Sequence, residues 1–70
     1  LNGGLDGLSE IRKVVKKSSE LIKKKGKFIL EIGYDQKNKV TKLLEKESFY
    51  INSIEKDLAK NDRCIVSTKI

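Results

Sequence analysis

Five carboxylates, Asp6, Glu31, Asp35, Asp57 and Asp62, are the side chains of this 70-residue sequence best suited to acid–base work. Two of them held together would make a general acid and base pair, but no motif brings any two side by side. The sequence has no histidine and one cysteine, Cys64. A Ser/His/Asp set and a His- or Cys-based metal cluster are therefore absent from these residues, as is a phosphate-binding P-loop. Gly3-Gly4 with Gly7 lacks the preceding strand that a dinucleotide fingerprint requires. Glu31 is the unusual acid. It lies in an otherwise apolar stretch, residues 28–32, where a carboxylate is costly unless paired or hydrogen-bonded. The simpler reading is a strand-end acid near solvent, bonded to a neighbouring loop. Cys64 sits beside Ile65 and Val66, which suits a small core residue better than a reactive thiol. A lone cysteine makes no internal disulfide and fits a reducing compartment, so the cytoplasm is the expected location.

The elements that position these groups follow from hydrophobic spacing. Residues 1–7 are a glycine-rich loop, and Asp6 is placed to cap the helix that follows. Leu8, Ile11, Val14, Val15, Ser18, Leu21 and Ile22 form one helical stripe, opposite Arg12, Lys13, Lys16, Lys17 and Glu20. Lys23, Lys24 and Lys25 suit the negative end of that helix, and Gly26 suits a left-handed stop. Residues 28–32 read as a short strand covered on both faces. Gly33 ends it, and Asp35 is placed to cap a second helix over residues 36–48 with Val40, Leu43 and Leu44 inward. Residues 49–55 are extended, but Ile54 is out of phase with Phe49 and Ile51, and a bulge or twist near Asn52-Ser53 would reconcile them. A polar connection around Leu58, with Asn61-Asp62 as turn formers, leads to a last strand over residues 63–68.

The order is αβαββ. One helix between the first two strands is the length of a crossover, so those strands are expected to be parallel, and the short last connection makes the third antiparallel to the second. Ligands of open α/β sheets sit outside the carboxyl ends of parallel strands. Residues 3–7, 33–36 and 57–62 reach that edge. They read either as a substrate-facing rim or as turn chemistry alone.

Seventy residues make one small domain. No apolar run approaches the ~20 residues of a membrane span or the shorter core of a signal peptide. The net charge is +6, which invites a nucleic-acid reading. Lys outnumbers Arg 14 to 2, however, and the lysines scatter over helix faces without interleaved aromatics. A solvated surface is the simpler account, and nucleic acid is not the expected partner.

Several runs together resemble the end of HemK-type protein-glutamine methyltransferases. They are Asn2-Gly3-Gly4-Leu5-Asp6-Gly7-Leu8 with Arg12, then Phe28-Ile29-Leu30-Glu31-Ile32-Gly33-Tyr34-Asp35-Gln36, then Asp57-Leu58-Ala59 and Asp62-Arg63. The resemblance covers essentially all 70 residues in order. It implies the C-terminal αβαββ portion of a Rossmann-like, class I S-adenosylmethionine-dependent methyltransferase. The last two strands would form an antiparallel hairpin, with the final strand between the other two. It also implies methylation of a glutamine side-chain amide in a peptide-chain release factor.

On that reading residues 1–70 are a fragment of a catalytic domain, with the remainder of the domain as partner. The family's Asn-Pro-Pro-Tyr motif is absent here, since the sequence has no proline, and the resemblance places the family's cofactor loop and acid upstream of Leu1. No catalytic, cofactor-binding or metal residue is therefore assigned, and the fragment alone is expected to be inactive. Gly3, Gly4, Asp6 and Gly7 match a loop on the substrate side. Lys60 stands where the family usually has glycine, as does Glu47 or Ser48 before Phe49. The alternatives are a small basic RNA-binding α/β module and a non-catalytic remnant of a split gene.

Overall fold

The computed structural model describes residues 8–70. Its elements are α1 (Ser9–Leu21), β1 (Lys27–Glu31), α2 (Lys37–Lys46), β2 (Phe49–Lys56) and β3 (Asp62–Lys69). The sheet order is β1-β3-β2, with β3 antiparallel to both neighbours. β1 and β2 therefore point the same way, as a helical connection between them requires. The short 57–61 turn reverses the chain, and β3 enters the space between them.

The helices and one sheet face enclose the core. Leu8 and Val15 come from the start and middle of the first helical stripe, Val40 and Leu44 from α2, and Phe49 and Ile65 from the sheet; all are buried. Phe28 and Phe49 pack with ring centroids 5.3 Å apart. Ser67 is also buried there, and its hydroxyl donates to the Phe28 carbonyl at 3.0 Å. That bond removes the cost of a polar group in an apolar layer.

The register of β2 against β3 skips a residue between Ile51 and Ser53. The extra residue returns Ile54 to the core side, opposite Ile65, while Ile51 faces Ser67. The bulge expected at Asn52-Ser53 is therefore present.

Several expectations are corrected. α1 stops at Leu21, with Ile22 extended, so Lys23–25 lie in the following turn and not in its last helical turn. The left-handed residue of that turn is Lys25, at φ 74°, not Gly26. Gly26 serves closeness instead. A Cβ there would meet Ile22 Cγ2 at 2.6 Å and the Lys23 carbonyl at 3.0 Å. The stripe of α1 is also narrower than its sequence suggests, because Val14 and Leu21 are exposed. Its cap residue is Leu8, without a side-chain cap bond, and Asp6 lies outside the described residues. The cap of α2 is Gln36, not Asp35.

β1 is not covered on both faces among the described residues. Its residues alternate, and Ile29 is 63% exposed on the face away from the helices. Cys64, opposite Glu31 and Glu55, is half-buried on that same open face and is not part of the core.

Candidate functional site

β1 and β2 both end at one edge of the sheet, where the 33–36 and 57–61 connections meet. The Ile32 amide donates to the Arg63 carbonyl at 2.9 Å, tying the exit of β1 to the entry of β3. Gly33 then turns the chain under Gln36. The Gly33 amide donates to Gln36 Oε1 at 2.7 Å, and the Gln36 amide donates back to the Gly33 carbonyl at 3.0 Å. A Cβ on Gly33 would lie 3.2 Å from Gln36 Oε1, so a side chain there would make the Gln36 amide give by a few tenths of an ångström. This leaves Tyr34 and Asp35 exposed at its tip.

The second connection is built around Asp57. One carboxylate oxygen accepts from the Ala59 and Asn61 amides at 2.9 and 3.0 Å, and the other accepts from Arg63 Nη2 at 3.1 Å. The main chain closes the loop, with Asp57 donating to the Asn61 carbonyl and Lys60 donating to the Asp57 carbonyl. Lys56 Nζ pairs with Asp62 at 2.6 Å across the mouth of the hairpin. Leu58 is fully exposed at its tip. The Asn61 amide, followed by the Arg63 guanidinium, holds the Asp57 carboxyl below the ordinary 3.8. The hydrogen bond from Lys56 does the same for Asp62, against a smaller opposing effect of burial. Both acids stay ionised and are committed to holding the loop, so they are positioning groups and not proton carriers.

Of the five acids singled out in the sequence, Asp57 and Asp62 share this hairpin, yet each is paired with a cation. Glu31 is exposed at its strand end, and its carboxylate has no hydrogen-bond or ion-pair partner; the loop bond expected for it is not formed. Asp6 and the glycines Gly3, Gly4 and Gly7 lie outside the described residues. Among the described residues no three His, Cys, Asp or Glu side chains gather to hold a metal, and no buried side-chain polar atom lacks a partner. The edge is thus a rigid rim with exposed Tyr34 and Leu58. Gln36 and Arg63, which shape it, were not singled out from the sequence as site residues. A glutamine three residues after a strand-ending glycine is the local signal for the first.

No family model matches the chain, and no solved structure matches it. Curated relatives do. The release factor glutamine methyltransferase of Clostridium acetobutylicum is 36% identical over 69 residues, which is 99% of this chain and 24% of the relative. That of Fusobacterium nucleatum subsp. nucleatum is 41% identical over 64 residues, 91% of this chain and 18% of the relative. A bifunctional methyltransferase of Rickettsia felis is 34% identical over 65 residues, 93% of this chain and 12% of the relative. The chain spans less than a quarter of the length of these curated relatives. No helix among the described residues is long and apolar enough to cross a membrane. By sequence the chain is similar, along nearly its whole length, to the C-terminal part of release factor glutamine methyltransferases.

Proposed function

We propose that residues 1–70 are the C-terminal part of a catalytic domain that transfers a methyl group from S-adenosylmethionine to a glutamine side-chain amide in a peptide-chain release factor. The observation that carries this reading is the match along 99% of the chain to a relative of that name. The arrangement of the strands is compatible with it. A Rossmann-like parallel sheet that ends in a reversed hairpin has its last strand inserted between two parallel ones, as β3 lies between β1 and β2.

At the rim the chain's own polar groups are already engaged. The Gly33 amide is taken by Gln36, and the Asp57 and Asp62 carboxylates are held by cations. Cofactor binding and the grip on the glutamine belong, on this proposal, to the part of the relatives that the chain does not match. The role of this chain is to end the sheet and to set its rim, with Gly3, Gly4, Asp6 and Gly7 on the substrate side. The cytoplasm, where release factors work, is the proposed location.

The test begins with the intact mass of the natural protein and tandem sequencing across Leu1. The protein at its natural length is then incubated with methyl-labelled S-adenosylmethionine and a recombinant release factor. Label is expected in the release factor and absent from a variant factor lacking the target glutamine. No label in either sinks the proposal. The 70-residue chain alone is expected to transfer none, and turnover by it would overturn the placement of the catalytic groups elsewhere.

A further inference from the structure

The opposite edge of the sheet, where β1 begins and β3 ends, carries an open groove of about 580 Å³. Lys24, Lys25, Lys27 and Lys69 line it, and no acidic side chain does. None of these lysines is ion-paired, whereas Lys56 and Arg63 at the far edge are. Tyr50 and Ile70, both mostly exposed, give the groove an apolar floor. Lys24, Lys25 and Lys27, neighbours in the sequence, thus share this groove with the Tyr50 ring.

The groove is built on fixed backbone. The Lys25 amide donates to the Lys69 carbonyl at 2.7 Å, and the Lys69 amide donates to the Gly26 carbonyl at 2.8 Å. This reciprocal pair clamps the α1–β1 turn to the end of β3. Lys27 Nζ donates to Thr68 Oγ1 at 2.7 Å and to Asn52 Oδ1 at 3.4 Å, both neutral acceptors that leave its charge uncompensated. Asn52 reaches this network because it alternates onto the open face with Tyr50. Lys69 Nζ is held over the Phe49 ring at 5.9 Å.

We infer that this groove binds a single-stranded nucleic acid, with Tyr50 stacking on a base and Lys24, Lys25 and Lys27 facing successive phosphates. Lysine acts as a point charge suited to single phosphate oxygens, and an exposed ring among lysines is the usual platform for unpaired bases. An acidic peptide would use the charge but not the ring. The surface lies away from the rim where the methyl-transfer reading places substrate, so it stands apart from that reading.

The test is fluorescence anisotropy of labelled oligouridylate with the natural-length protein, over a series of salt concentrations. Binding is expected to weaken with salt with a logarithmic slope of about −2, as for three phosphate contacts on a single strand. Lys24→Glu with Lys25→Glu is expected to weaken it at least tenfold and flatten the slope. Tyr50→Ala is expected to weaken it about tenfold, and Tyr50→Phe to leave it intact, because stacking needs only the ring. These positions are on the surface, so folding is checked by circular dichroism against the parent. Lys13→Glu with Lys17→Glu, on the outer face of α1, is the charge control. The inference is overturned by absence of binding at low salt. It is equally overturned by an equal loss in the α1 control, by indifference to Tyr50→Ala, or by equal affinity for polyglutamate.

Discussion

Ser48 and Lys60 both hold φ 70°, a left-handed conformation that costs a residue with a Cβ about 1–2 kcal/mol. Lys60, at the turn into β3, sits where the family resemblance places glycine, and Ser48, at the turn into β2, is one of the two positions, with Glu47, where it places another. Ser48→Gly and Lys60→Gly are each expected to raise stability by up to about 1 kcal/mol, the strain relieved less the added freedom of the unfolded chain. The urea midpoint reads this directly, and an unchanged or lower midpoint would show the strain to be absent. Gly26 works the other way. Gly26→Ala would drive a methyl into Ile22 Cγ2 and the Lys23 carbonyl, and stability should fall by about 1–3 kcal/mol. Asp57 supplies a pH signature. Its folded carboxyl titrates below the ordinary 3.8, so the native state binds fewer protons than the unfolded state near that value. Its contribution is complete above the unfolded value and disappears as pH falls through the folded one. Asp57→Asn should therefore lower the midpoint at pH 7 and lower it progressively less as pH falls below the ordinary carboxylate value. An equal effect at every pH would show that the amides, and not the charge, hold the loop.

The helices and strands were legible wherever periodicity decided them. Val40, Leu43 and Leu44 lie on the buried side of α2, and the phase break at Ile54 marks the bulge in the sequence itself. Caps and ends were less legible, because three successive lysines and a glycine fit a helix terminus or a turn equally well. The choice fell to the amide of Lys25, which bonds to Lys69, forty-four residues away in the chain. The burial of β1 was misread for a different reason. Phe28, Ile29 and Leu30 are all apolar, but burial depends on what covers each face, and here the helices cover only one. The basic groove was hidden because Lys27, Asn52 and Thr68 converge only through strand register. The rim was half legible: its connections were named, while Asp57 as their organiser was not. The bulge itself is testable. Deleting Asn52 would remove the extra residue and leave Ile51, Ser53 and Ile54 in plain alternation, with Ile54 still opposite Ile65. Deleting Asn52 and Ser53 together would place Ile54 directly after Ile51 and turn it to the open face, and loss of an isoleucine from the core side costs about 2–5 kcal/mol. The single deletion is expected to keep a cooperative melt by circular dichroism and the double deletion to broaden or abolish it; equal melts would mean that the register is set elsewhere.

The two outer edges of the sheet differ in a way that bears on what lies beside them. β2 carries register shifts after Ile51 and after Glu55 and ends in charge, features that discourage pairing with another chain. β1 is regular and pairs only with β3 among the described residues; its centre is Phe28, Ile29 and Leu30. A flat apolar edge left open is an invitation to further pairing. The open face repeats the asymmetry, with Ile29 beside Val66 at its middle. If residues 1–70 end a larger sheet, both the β1 edge and this face are covered in the natural-length protein. Ile29→Lys separates the cases. In the 70-residue chain Ile29 is 63% exposed, and the substitution should change stability by no more than about 0.5 kcal/mol while reducing self-association in sedimentation velocity. In the natural-length protein the same lysine would be forced under a covering layer, with an expected loss of about 3 kcal/mol or more. A small effect in both would leave the face open to solvent in the whole protein, and the reading of this chain as the end of a larger sheet would lose its structural support.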